Sequence, residues 1–187
     1  MTNLSKRSLP IGGVKPRSST STKIVLTEHQ ILVIRQAIVL EAGQLIGIPY
    51  AREDDDPKTP WTGKGKWMDF SKRPVSLDCS GLTTGCYKKN GVTLVHGSKN
   101  QFNATIKVDY PQLGDLAFAA EGKNITKVYH VGMVLDDLFI IESRARQKGT
   151  SFVTGQVIIR PRKNWEAWNN FVGYRAHPKL ILQAIRA

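Results

Sequence analysis

With 187 residues, 41% of them hydrophobic, the chain is long enough for one domain with an appended arm and too apolar to be disordered. No apolar run reaches the roughly 20 residues needed to cross a bilayer, and Pro10, Gly12 and Gly13 interrupt the stretch after Lys6 and Arg7, so neither a transmembrane segment nor a Sec-type signal peptide is expected. The net charge of +12, from 27 basic and 15 acidic residues, favours a polyanion such as nucleic acid, anionic lipid or an acidic cell wall, without choosing among them.

Residues 1–23 carry Lys6, Arg7, Lys15, Arg17 and Lys23 with no acid, and the polar run Ser18–Thr22 has no period. This reads as a basic mobile arm, either a solvated tail or a docking arm, ahead of a domain over residues 24–187. Thr27 to Gly47 reads as a first helix. Thr27 and Gln30 have capping-box spacing, and Ile31, Ile34, Ile38, Ala42 and Leu45 form an apolar stripe. Leu32, Val33, Val39 and Leu40 widen it, which predicts a largely buried helix. Gly47-Ile48-Pro49 ends the helix and delivers Tyr50.

Ala51 to Val75 is long and irregular, with the acidic run Glu53–Asp56 and the aromatics Trp61, Trp67 and Phe70. The aromatics argue for a loop packed over a cleft. The acidic spacing matches no calcium loop. Asp78 then has the chemistry of an N-cap for a helix from Cys79 to Lys89, stopped at Asn90-Gly91. A cysteine in the first turn sits where unpaired N–H groups and the helix dipole favour a thiolate, and the same N–H groups can serve as an oxyanion hole. The alternative is a small buried residue at a helix start. Cys86 lies two turns away, about 10 Å along the axis, beyond the roughly 7 Å a disulfide spans. Both thiols should be free, with Cys86 in the core. Nothing in the cysteine count implies a zinc site, and no metal or cofactor is expected.

Val92 to Ile106 is polar and loop-rich and contains His96. Pro111–Asp115 is turn chemistry before a strand at Leu116–Ala119, and Glu121–Lys127 is a polar connection. Tyr129 to Ser143 reads as a hairpin, with strands His130–Leu135 and Leu138–Glu142 around Asp136-Asp137. Arg144, Arg146 and Lys148 follow in a basic loop. Gln156–Arg160 reads as a strand, Asn164–Asn170 as a short Trp-bearing helix or turn, and Phe171–Ala176 as a last strand. Helices first and strands after predict an α+β fold with an antiparallel sheet.

A thiolate nucleophile needs a base within reach and a third group to orient that base. Of four histidines, His130 begins an apolar strand, where an imidazole needs a reason; a satisfied core or edge histidine is one. Glu142 is likewise an acid ending an apolar run. A histidine and a carboxylate on paired strands can share a face. Cysteine on a helix with such a pair on strands is the papain-like layout.

Together, Gly47-Ile48-Pro49-Tyr50, Leu77-Asp78-Cys79-Ser80-Gly81-Leu82, Leu113-Gly114-Asp115-Leu116, His130-Val131-Gly132-Met133 and Ile141-Glu142-Ser143 resemble the NlpC-type, papain-like cysteine peptidases of bacterial cell walls, over roughly Glu28 to Ala176. The resemblance implies N-terminal helices packed on an antiparallel sheet. It implies hydrolysis of peptidoglycan stem peptides, typically at the γ-D-glutamyl–diaminopimelate bond. Cys79 would be the nucleophile, His130 the base and Glu142 the third polar residue, with Tyr50, Asp78 and Ser80 around the pocket for the free amino end of the stem. Two features depart from the family pattern: the third position is more often histidine, and the turn is more often glycine-rich than Asp136-Asp137. The 51–75 insertion is also longer than usual.

The leading expectation is therefore a cell-wall peptidase, reaching the wall by holin-assisted release, through an injection apparatus, or by carriage in a virion, as in a phage tail tip. The alternative is a catalytically silent structural or assembly protein of a phage tail or secretion device, engaged through the basic arm. A specific nucleic-acid binder is not expected, because the basic residues are dispersed and no binding motif is present. The catalytic reading makes a demand on the hairpin. A regular two-residue turn would pair Leu135 with Leu138 and send His130 and Glu142 to opposite faces. A three-residue loop, Leu135-Asp136-Asp137, would pair Val134 with Leu138 and set His130 opposite Glu142. An odd loop or a bulge is required.

Overall fold

The first helix, α1 (Glu28–Gly43), begins with a reciprocal cap: the Gln30 N–H donates to Thr27 Oγ1 at 3.2 Å and the Thr27 N–H to Gln30 Oε1 at 2.9 Å. The structure, a computed structural model, describes residues 26–51, 73–148 and 151–181. The basic arm, and the acidic run and aromatics expected between residues 51 and 75, lie outside the described residues. Ile31, Ile38 and Ala42 of α1 enter the core, but Leu32, Val33 and Leu40 are 47%, 48% and 69% exposed. The expectation of a largely buried helix is therefore corrected, because α1 meets the core along one line only. That line also carries Arg35, buried because its guanidinium donates to Asp115 Oδ1 at 2.7 Å and to the carbonyls of Leu113 and Leu180.

Helix α2 (Cys79–Lys89) starts and stops as its residues predict. Asp78 caps it by accepting the Gly81 N–H, and Gly91, at φ +74°, carries the chain out. A seven-residue helix, α3 (Ser98–Ala104), occupies the stretch expected as loop. Among the described residues, β1 (Ile106–Val108), β2 (Leu116–Ala120), β3 (Val128–Val134), β4 (Phe139–Lys148), β5 (Ser151–Pro161) and β6 (Phe171–Ala176) form one antiparallel sheet, ordered β1-β6-β2-β3-β4-β5. The α+β, papain-like expectation matches this architecture, with helices on an antiparallel sheet.

Alternation along the strands builds two layers. Leu116, Phe118, Val131, Met133, Ile141 and Val157 pack against α1 and α2, where Cys86 is fully buried. Each such side chain, fully buried, contributes about 1.5–3 kcal/mol. Ala117, Ala119, Val134, Ile140 and Tyr174 form the second layer with Trp165 of α4 (Arg162–Glu166). Burial, with the Glu41 carboxylate nearby, pushes the Cys86 thiol well above its ordinary range, as suits a core residue. Both cysteines are free. Among the described residues, no helix is long and apolar enough to cross a membrane.

The hairpin has the required parity but a different register. Val134 pairs with Ile140 and Met133 with Ile141, so five residues intervene rather than three. Asp136 accounts for the difference: its Oδ1 accepts the N–H groups of both Leu138 and Phe139, at 2.7 and 2.8 Å, which draws those residues into the turn. On this count Glu142 falls diagonal to His130 rather than directly opposite, still on the same face.

Candidate active site

The start of α2 is bolted to the sheet by backbone. The Leu77 N–H donates to the Pro49 carbonyl at 2.9 Å, and the Ser143 hydroxyl donates to the Leu77 carbonyl at 2.7 Å. Tyr50, half-buried, forms a parallel bridge with Leu77 and donates its N–H to the Gly155 carbonyl at 2.8 Å. These bonds fix Asp78 and Cys79 at the start of α2, which packs against β3, and at the N-terminal end of β3 the β2–β3 register shifts between Ala119 and Ala120. His130 pairs with Ala119 at that end.

His130 and Glu142 meet as the odd loop allows. Imidazole Nε2 lies 2.5 Å from Glu142 Oε2, with both residues buried. With Nε2 taken by Glu142, Nδ1 is the ring nitrogen left for Cys79, which also hydrogen-bonds the imidazole. Burial alone would push the imidazole pKa down. The negative charge and hydrogen bonding of Cys79, and then those of Glu142, outweigh burial and raise it to about 9. Burial likewise favours a neutral Glu142, but the bonds and charges of His130 and Arg160 win and hold its carboxyl below the ordinary range.

Asp78 and Ser80, the expected pocket residues, are tied together. Asp78 Oδ1 accepts the Gly81 N–H at 2.5 Å and the Ser80 hydroxyl at 3.0 Å. His96, expected only as a loop histidine, completes the cluster, with Nε2 3.2 Å from Asp78 Oδ2 and 3.0 Å from Ser80 Oγ. Burial raises the Asp78 pKa, but His96, the Gly81 N–H and Ser80 together carry it below its usual value. Because Asp78 takes the Gly81 N–H and the Leu82 N–H bonds the Asp78 carbonyl, the Cys79 and Ser80 N–H groups have no acceptor among the described residues. Free N–H groups at a helix start can serve as donors for an oxyanion.

Four further residues escape sequence reasoning. Gln101 of α3 donates to the Ser80 carbonyl at 3.0 Å and accepts from Thr83, fixing the first turn of α2 from behind. Arg160 of β5 donates to Glu142 Oε1 at 2.9 Å. Trp165 stacks on the His130 ring at 5.4 Å and 13°, and Trp168 stands edge-on to it at 6.1 Å. The only signal for the last two was aromatic content after a strand. Among the described residues, no group of three or more His, Cys, Asp or Glu side chains is placed to hold a metal ion.

Known proteins share the sequence pattern and the fold. The family model described as NlpC/P60 family matches residues 60–163. A γ-D-glutamyl-L-lysine dipeptidyl-peptidase of Bacillus cereus is 33% identical over 79 residues, 41% of this chain and 24% of that protein. The crystal structure of an NlpC/P60 family protein from Bacillus cereus is 25% identical with a TM-score of 0.55, over 76% of this chain and 40% of its own. RipD of Mycobacterium tuberculosis, described as a non-catalytic NlpC/P60 domain protein adapted to peptidoglycan binding, shares the fold at 18% identity and a TM-score of 0.54, over 78% of this chain and 97% of its own. The chain thus spans well under half the length of each Bacillus cereus match.

Proposed function

Because this chain belongs to the NlpC/P60 family, we propose that it is a cysteine peptidase hydrolysing peptidoglycan stem peptides at the γ-D-glutamyl bond to the diamino acid. The observation that carries the reading is the buried His130–Glu142 contact at 2.5 Å, with Cys79 also hydrogen-bonded to the same imidazole. A nucleophile, a base and a group orienting the base are the minimum for thiol-based acyl transfer. An imidazole that keeps its proton to about pH 9 is the cationic partner a thiolate needs.

In this reading Cys79 Sγ attacks the carbonyl carbon of the scissile amide. The Cys79 and Ser80 N–H groups receive the oxyanion, and Nδ1 of His130 passes its proton to the leaving amine. Water, deprotonated by the now neutral His130, hydrolyses the thioester and restores the pair. Glu142 keeps the ring oriented throughout. Asp78 and Ser80, with Tyr50 nearby, receive the ammonium at the free end of the stem.

Digestion of purified peptidoglycan with mass spectrometry of the released fragments tests the proposal, wild type beside Cys79→Ala. Release of fragments cut after γ-D-glutamyl by wild type alone is the expected result. Binding of peptidoglycan by both proteins with no fragment from either would replace the peptidase with the silent assembly protein.

A further inference from the structure

Among the described residues, two guanidiniums converge on Glu142, and one of them donates to it. Oε2 is held by His130 at 2.5 Å and Oε1 by Arg160 at 2.9 Å. Arg144 Nη1 stands 4.0 Å from Oε1, beyond hydrogen-bond distance. Among the described residues, none of the Arg144 side-chain N–H groups donates to an acceptor, and 39% of that side chain is exposed.

The guanidinium is nevertheless held. It lies over the Trp168 ring, 5.1 Å from the centroid, and Trp168 is braced edge-on by Trp165 at 5.6 Å and His130 at 6.1 Å. Its backbone is constrained as well. The β4–β5 register shifts between Arg144 and Arg146, and Gly155 lies against that shift so closely that an added Cβ would stand 1.7 Å from the Arg144 carbonyl oxygen. Bulges of this kind re-aim side chains next to active sites.

A planar group with five donors, fixed by stacking and open to solvent, is suited to a carboxylate. The charges agree. The single negative charge of Glu142 already faces the His130 imidazolium and Arg160, so the charge of Arg144 is surplus. A γ-linked D-glutamyl residue supplies the matching anion, because its α-carboxylate stays free beside the scissile amide. We propose that Arg144, seated on Trp168, is a specificity-determining subsite for a substrate carboxylate flanking the cleaved bond, so that the protein distinguishes a γ-D-glutamyl stem peptide from its α-carboxamide form. The proposal rests on the stem-peptide reading above.

The test uses binding, which does not require turnover. Full-length Cys79→Ala protein is titrated by calorimetry with an L-alanyl-γ-D-glutamyl-lysine peptide and with its D-isoglutaminyl counterpart. The carboxylate peptide should bind on the order of tenfold more tightly, as expected for a charge-assisted bond at a partly exposed site. Adding Arg144→Gln should bring the ratio close to one, and Arg144→Lys, which keeps charge without the planar fork, should retain part of it. Equal affinity for the two peptides, no binding of either, or a preference that survives Arg144→Gln overturns the subsite. Failure of the parent reading looks different: selective binding would persist while wild type releases no fragment from peptidoglycan.

Discussion

Arg160 donates to the one oxygen of Glu142 that His130 leaves free, at 2.9 Å against 2.5 Å for the imidazole contact. Cys79, His130, Glu142 and Arg160 therefore form a line of alternating charge when thiolate and imidazolium are paired. A carboxylate in third place puts a full charge against the ring, where an amide would offer only a dipole. Arg160 divides that charge between two cations.

Opposite shifts in pH dependence follow for the two outer residues. Glu142→Gln removes the negative charge beside His130, so the alkaline limb of kcat/KM should move down from about 9. Arg160→Gln removes the competing cation, so the limb should not move down and should rise. pH–rate profiles of both variants measure this. Limbs that shift in the same direction would break the proposed line.

Stability should depend on pH with a defined sign. His130 has a folded pKa raised to about 9, above the roughly 6.5 of an unfolded histidine. Its contribution is fully present below about pH 6.5 and is lost as pH rises through about 9. Melting temperatures of wild type should fall across that window. In Cys79→Ser/Glu142→Gln, which lacks both causes of the rise, the decline should largely vanish.

Asp78 has two separable duties, capping α2 and holding charge beside His96 and Ser80. Asp78→Asn keeps a capping oxygen and should change stability by less than about 1 kcal/mol, whereas Asp78→Ala should cost about 0.5–2 kcal/mol. Both should raise KM for a stem peptide with a free amine more than they lower kcat. Urea unfolding and steady-state kinetics separate the duties. An Asn variant with wild-type KM would remove Asp78 from amine binding.

Trp165 is fully buried between the second apolar layer and the His130 ring. Trp165→Ala should cost about 3–5 kcal/mol, and activity should fall further than the unfolded fraction accounts for. Trp165→Phe keeps a stacking surface and should recover much of both losses. Thermal unfolding, with kcat measured well below each melting point, checks it. Full activity in a folded Ala variant would make the stack dispensable.

The elements legible in the sequence are those whose determinants are local. Thr27 and Gln30 announce α1, Asp78 announces α2, and Gly91 closes it. His130 and Glu142 were legible as a pair because strand parity is a counting argument. Their register was not, since it turned on a side chain, Asp136, capturing two N–H groups of the turn. Helix α3 was hidden because its N-cap, Gly97, offers no side-chain bond and its support is the remote polar net of Gln101. Arg35 and Arg160 were hidden for the same reason: their partners lie 80 and 18 residues away. The exposed Leu32, Val33 and Leu40 show that apolar residues on a helix mark a face that can be buried, not one that is.

The Ser143 hydroxyl that holds the Leu77 carbonyl joins positions 66 residues apart. Nothing local to Asp78-Cys79-Ser80 brings His130 to the thiol; that requires β3 and β4 to pair and β4 to close onto Leu77. Contacts of such sequence separation carry a loop-closure cost and slow folding. During refolding, α2 can acquire its helical signal early, while the part of the Cys79 alkylation rate that depends on His130 emerges only once this distant junction has formed. The thiol thereby serves as a built-in clock for the completion of the chain's long-range topology.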